Sequence, residues 1–276
     1  MFTRFILALS FVSGLMPFAH SQQTVKFFVF DSTTQSPIPY VRIFNISKSI
    51  GTISDEHGQV ILDKTDMSDS ISISTIGYHD KFIICSRAVE NIALNPKMYI
   101  LKEVVVSALP LAKRKKKPRK IKASAGLCNF YDKGFQIVTF VGAESSKDNI
   151  EDISIFIKKK INSSGNIRLR LYDVDSNGMP EENLLPKSII INGQGAHGWI
   201  KFNLKDLNIR IPDGGAFAGI EFLDFVDDNK EAICVGLSDQ FNASNTWIQS
   251  IGGKWHQLPF MKNKNEIPYN IMVKVE

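Results

Sequence analysis

Hydrophobic and polar positions alternate with a period of two along most of this chain, in short runs. Ser70-Ile71-Ser72-Ile73-Ser74-Thr75-Ile76 shows it most cleanly, and Arg168-Leu169-Arg170-Leu171-Tyr172 repeats it. That period sends alternate side chains to opposite faces of a half-buried strand. It predicts strands over 25–30, 40–44, 51–54, 60–62, 70–76, 81–85 and 92–94. A second series is predicted over 135–141, 153–157, 167–174, 188–191, 199–204, 217–222, 232–237 and 271–275. Turn pairs separate members of the second series, among them Asn177-Gly178, Asn192-Gly193, Gly214-Gly215 and Gly252-Gly253. No amphipathic helix of three turns stands out. The chain is therefore expected to be all-β.

The two series flank one stretch, Leu101 to Lys122, LKEVVVSALPLAKRKKKPRKIK. It starts as an apolar β-run, Val104-Val105-Val106, and turns at Pro110 into the densest charge block in the chain. The organisation expected is a β-sandwich over 22–108, a basic linker over 109–122 and a jelly-roll-like β-sandwich over 123–276. Each sandwich is expected to hold its own core. The net charge is +5, but residues 113–122 hold eight cations: Lys113, Arg114, Lys115, Lys116, Lys117, Arg119, Lys120 and Lys122. Taking those eight from 33 basic residues leaves 25 against 28 acidic ones, so the basicity belongs to the linker. Cations at that density do not enter a core. A self-repelling spacer is one reading; contact with anionic lipid or lipopolysaccharide is the other, at about 1 kcal/mol per cation near such a surface. Nucleic acid is disfavoured because no aromatics stand among the cations.

Composition adds compartment. Hydrophobic residues at 43% exclude global disorder. Residues 1–21 read as a signal peptide, with Arg4, an apolar Phe5–Met16 run too short to span a bilayer, and Ala19-His20-Ser21 before the cut. Export to the periplasm, the outer membrane or the medium is expected. Cys85, Cys128 and Cys234 lie in or beside apolar runs without CxxC spacing or a His pair, so zinc is not indicated. Three is an odd number and leaves at least one thiol free. For Cys128 and Cys234 a bridge is one reading and two buried thiols the other.

Several separate motifs in the first series occur in a recognisable order. These are Val25-x-Phe-x-Val-Phe-Asp31, Pro37-Ile38-Pro39-Tyr40-Val41, Gly51-Thr52-x-Ser54-Asp55-x-x-Gly58, Asp69-Ser70-Ile71 and Ile76-Gly77-Tyr78. Residues 24–108 thereby resemble the carboxypeptidase regulatory-like domain, in the version found at the N-terminus of TonB-dependent outer-membrane receptors. The resemblance implies a transthyretin-like seven-stranded sandwich and no active-site residues. It does not extend to transport, since the residues after Lys122 are too few for a plug and a receptor-sized barrel. In the second series, Arg168 to Tyr172, Gly178-Met179-Pro180, Gly198 to Leu204, Ile211-Pro212 and Ala218 to Glu221 are similar to galactose-binding-like, jelly-roll accessory domains of exported bacterial proteins.

Candidate chemistry is sparse. Asp55-Glu56-His57-Gly58 reads as turn chemistry with Asp55 as the cap. Asp173-Val174-Asp175-Ser176-Asn177-Gly178 sets the oxygens of Asp173, Asp175 and Asn177 around one turn, the spacing of a Ca²⁺ loop, although position twelve is Leu184 where an EF-hand has Glu. A solvated hairpin turn is the competing reading. Trp199 heads a strand and is expected in the core. Trp247 and Trp255 flank Gly252-Gly253; core or edge packing is one reading of them, and the other is a candidate ligand-binding set with His256, as exposed indoles stack on sugars. No nucleophile elbow, P-loop, dinucleotide fingerprint or zinc signature is present.

The expectation is thus a non-enzymatic, exported binding or scaffolding protein of the cell envelope, with no obligate cofactor. A glycan is its candidate ligand and an outer-membrane protein complex its candidate partner. Two alternatives stand beside it: a hydrolase of glycan or peptide with a cleft in the second sandwich, which clustered acids in a pocket would favour, and a structural partner of an envelope complex, which an exposed strand edge would favour.

Overall fold

The computed structural model describes residues 23–85, 91–98, 122–128, 133–142, 149–158, 165–224, 233–239, 245–258, 261–262, 265–266 and 270–276. Among the described residues the regular structure is strands joined by turns, with a 3₁₀ turn at Lys205–Leu207. The all-β sandwich expectation therefore holds. The signal-peptide reading, Val104-Val105-Val106 and the cations Lys113, Arg114, Lys115, Lys116, Lys117, Arg119 and Lys120 lie outside the described residues.

Seven strands make the first sandwich: β1 (Gln23–Asp31), β2 (Arg42–Asn45), β3 (Ile50–Ile53), β4 (Gln59–Thr65), β5 (Ser70–Ser74), β6 (Lys81–Ile84) and β7 (Asn91–Leu94). They form a three-stranded sheet ordered β4-β1-β7 and a four-stranded sheet ordered β3-β2-β5-β6. The alternation read from the sequence sets which side chains meet. Ile71 and Ile73 of β5, Ile43 of β2 and Val60 and Leu62 of β4 point inward onto Phe27 and Val29 of β1, in one apolar core that includes the free Cys85. Asp55 caps its turn as expected, its Oδ1 accepting the N–H groups of His57 and Gln59. Gly58 follows with φ +74, where a Cβ would stand 2.6 Å from the Val29 carbonyl oxygen.

The second sandwich sets two larger sheets face to face. One contains β10 (Asp152–Ile157), β14 (Gly198–Asn203) and β16 (Cys234–Ser238), with β8 (Ala125–Cys128), β21 (Asn270–Ile271) and β22 (Val273–Val275). The other runs β12 (Pro180–Asn183), β11 (Asn166–Val174), β15 (Ala216–Phe222), β9 (Gln136–Val141), β17 (Thr246–Gln249), β18 (His256–Gln257), with β13 (Ile190–Asn192) also on β11. A separate two-stranded pairing joins β19 (Met261–Lys262) and β20 (Asn265–Glu266). Ile153, Ile155 and Ile157 on one side meet Leu169, Leu171 and Ile220 on the other, giving the largest core of the molecule. Cys128 sits directly opposite Cys234 in the β8–β16 ladder, and the two are bridged. The bridge closes a loop with a sequence separation of 106 residues.

Each sandwich has its own core, and the two are in contact. Ile76, two residues past the end of β5, is buried in the core of the second sandwich. A third cluster joins Ile53, Tyr40 and Phe44 of the first sandwich to Leu223, Ile251 and Ile190 of the second. Two glycines permit the approach. A Cβ on Gly51 would stand 2.5 Å from Ile251 Cβ, and one on Gly252 would stand 2.1 Å from the Phe44 ring. The physical reason is exposed in the strands themselves. Phe44 and Ile53 lie on the solvent-side face of the four-stranded sheet and need cover, which the seven-stranded sheet supplies.

Candidate functional site: a cleft between the sandwiches

On β11 the odd-numbered residues Ile167, Leu169 and Leu171 face the core, so Arg168, Arg170 and Tyr172 share the opposite face of the sheet. Register brings the rest. Arg168 pairs with Glu221 of β15, Glu221 with Gln136 of β9, and Gln136 with Gln249 of β17. A polar row thus crosses four strands on a face that alternation alone would leave to water. The first sandwich lies over it and adds Arg42 from β2.

Three guanidinium groups converge on the single carboxylate of Glu221. Arg42 Nη1 donates to Oε1 at 3.2 Å, Arg168 Nη1 to Oε2 at 3.2 Å, and Arg170 Nε and Nη2 to Oε2 at 3.0 and 2.5 Å. Glu221 and Arg168 are wholly buried. Burial alone would push the Glu221 carboxyl up, but Arg170, Arg168 and Arg42 together outweigh it and hold its pKa below the ordinary value. Burial lowers Arg168 to about 10 despite the Glu221 charge beside it. Its Nη2 donates to the backbone oxygen of Tyr40, while its Nε has no partner among the described residues. Tyr40 has φ +54, a left-handed conformation unusual for a bulky residue, and is tied at both ends. Its carbonyl takes Arg168 and its hydroxyl accepts from Asn166 Nδ2 at 2.8 Å.

Beside this cluster a cleft of about 510 Å³ opens between the sandwiches. Arg42, Gln136, Arg170, Tyr172 and Gln249 line it from the network just described. Phe44, Ser72, Ser74 and Ile76 form the first-sandwich wall, and Ile251 and Gly252 lie across from it. Asp80, Lys97, Glu181 and Glu182 also line it and are exposed. Gln136 stands between Tyr172 and Arg42; the amide orientation that satisfies both has its oxygen toward the Arg42 guanidinium and its nitrogen toward the Tyr172 hydroxyl. Arg170 spends Nε and Nη2 on Glu221, and its Nη1 makes no hydrogen bond among the described residues. The lining offers donors held in place by the buried Glu221, with the side chains of Phe44 and Tyr172 beside them.

The residues singled out from the sequence fall around this cleft or away from it. Trp247 and Trp255 are half-buried and pack on Tyr172, Val138 and Phe217, with the Trp255 and Tyr172 rings 5.4 Å apart edge to face. They support the cleft-lining tyrosine and do not line the cleft. His256 is exposed on β18, opposite Ile248 of β17. Trp199 is not core, contrary to expectation. It is 36% exposed, stands edge-on to Phe156 and carries Lys274 Nζ 4.0 Å over its ring. Its neighbour Ile200 takes the inward position instead. Asp175 Oδ1 accepts the N–H groups of Asn177 and Met179, and Asp173 Oδ1 that of Glu182. Two of the three side chains offered for Ca²⁺, Asp173 and Asp175, thus serve the hairpin between β11 and β12, and Asn177 Nδ2 donates to Asp175 Oδ2. Among the described residues no group of three His, Cys, Asp or Glu is placed to hold a metal.

Sequence reasoning missed Arg42, Arg168, Arg170 and Glu221. One signal was available: like-charged residues at alternate positions of a strand whose other face is fully apolar. Their convergence on Glu221 depends on strand register, which no local pattern contains. No protein-family model matches the chain, and no curated protein matches it in sequence.

Proposed function

We propose that the chain is an exported, non-enzymatic binding protein of the cell envelope that takes a polar glycan in the cleft between its sandwiches. The observation that carries this reading is the cleft floor. Arg42, Gln136, Arg170, Tyr172 and Gln249 come from both sandwiches and are ordered by one another, so their hydrogen-bonding groups are set before any ligand arrives. Directional donors and acceptors beside Phe44 and Tyr172 suit a sugar, which has hydroxyls at its rim and apolar C–H faces. The likeness of residues 24–108 to the carboxypeptidase regulatory-like domain supports placement in the envelope. A hydrolase is the second reading, favoured by Asp80, Glu181 and Glu182 in the cleft lining, but these acids are exposed and not set in a water-poor pocket. Glu221, the buried carboxylate at this floor, is held ionised by three arginines and has no proton to give a leaving group. A glycan array probed with the purified protein and with Ser74→Trp tests the proposal. Ser74 lines the cleft and makes no part of the arginine cluster. Binding to a defined set of glycans that Ser74→Trp abolishes is expected; no binding, or binding indifferent to Ser74→Trp, refutes it.

A further inference from the structure

The charge balance at the cleft floor is uneven. Three guanidinium groups face one carboxylate, and the charges that act on Glu221 come from Arg170, Arg168 and Arg42. Arginine stays protonated at neutral pH, so the cluster carries a formal excess of two positive charges where water is scarce. Buried charge without a counter-charge is costly, and an anion brought to it gains correspondingly. Two of the three arginines line the cleft: Arg42 from the first sandwich and Arg170 from the second. Arg170 keeps Nη1 uncommitted among the described residues, and Arg42 keeps Nε, while the Arg42 terminal nitrogens face Glu221 and the Gln136 oxygen. A planar carboxylate has two oxygens, one for a nitrogen of each arginine.

The outer lining carries the opposite sign. Asp80, Glu181 and Glu182 are exposed and line the same cleft, with Lys97 as the cation among them. A chain with a carboxylate on every sugar would meet these acids along its length, whereas a neutral sugar would leave the floor uncompensated. Resting on the glycan-binding reading above, we infer that the cleft selects a glycan with one carboxylate on an otherwise neutral body, the carboxylate seated between Arg42 and Arg170 and so bridging the two sandwiches. The remaining sugars lie toward the rim, where the carboxylates of Asp80, Glu181 and Glu182 accept their hydroxyls.

Titration calorimetry on the purified protein tests this with three probes: a tetrasaccharide ending in one glucuronate, its methyl ester, and tetragalacturonate. The acid is expected to bind at least about tenfold tighter than the ester, the worth of a charge-assisted hydrogen bond. Tetragalacturonate is expected to bind more weakly than the singly charged probe. Arg42→Gln is expected to erase the preference for acid over ester. The acid–ester comparison uses the unaltered protein and stands even if Arg42→Gln folds poorly. Equal binding of acid and ester overturns the inference and leaves the glycan-binding reading in place. Tightest binding of tetragalacturonate overturns the single-carboxylate selection. Array-positive glycans together with silence from all three probes sink the inference alone, while silence from the array as well sinks both.

Discussion

Glu221 ties strands of both sandwiches together. It is buried, and it is the shared partner of Arg42, Arg168 and Arg170. Removing one partner of a buried ionic cluster costs more than the cluster contributes, because the remaining charges stay desolvated. Glu221→Gln is therefore expected to lower unfolding stability by about 3–5 kcal/mol, read from urea denaturation. A change below about 1 kcal/mol would mean that water reaches the cluster. The pH dependence has a definite sign. The folded pKa of Glu221 lies below its ordinary value, so its contribution is present above the unfolded carboxyl pKa and is lost as pH falls through the folded one. Glu221→Gln should flatten that acid limb. Arg168-Leu169-Arg170 shows how far the sequence could be read at this scale. The alternation assigned both arginines correctly to the face away from Leu169, but not the cover over that face. Burial of that face follows from a second sandwich lying over it, which leaves no periodic trace.

Strand existence was legible wherever alternation was strong. Ser70–Ser74 and Asn166–Val174 appear where the pattern puts them, as do the other strands of the first sandwich. Strands that lack the pattern were missed. β12 reads Pro-Glu-Glu-Asn and is a strand because the Asp175 turn folds it back onto β11. β8 reads Ala-Gly-Leu-Cys, too small and mixed to announce itself, and lies on β16 with Cys128 bridged to Cys234. The bridge was one of two open readings because cysteine spacing does not encode register. Closing a loop of about 100 residues limits the unfolded chain by about 4–5 kcal/mol in the chain-entropy account. Reduction, or the Cys128→Ala/Cys234→Ala pair, is expected to lower the thermal midpoint by several degrees with the folded signature kept, followed by circular dichroism. An unchanged midpoint would show that β8 is held by its ladder alone.

At the scale of the whole molecule, the account depends on two sandwiches that meet closely enough to share a cluster and enclose a cleft. Close approach is written into Gly51 against Ile251 and Gly252 against Phe44. Cohesion is written into Ile76 within the larger core and Arg42 on Glu221. Composition and charge were informative about class and silent about this contact. Gly51 and Gly252 each looked like ordinary turn or strand glycines, and the arginines like ordinary surface charge. The fold class was therefore readable and the site was not, since the site is a product of docking and not of any one segment. The most direct measurement is a set of backbone N–H residual dipolar couplings from both sandwiches in the ligand-free protein. The account predicts that one alignment tensor fits β2 and β5 together with β9, β11 and β15 in the geometry described. Two tensors differing in magnitude or orientation would show the sandwiches moving independently and would contradict it.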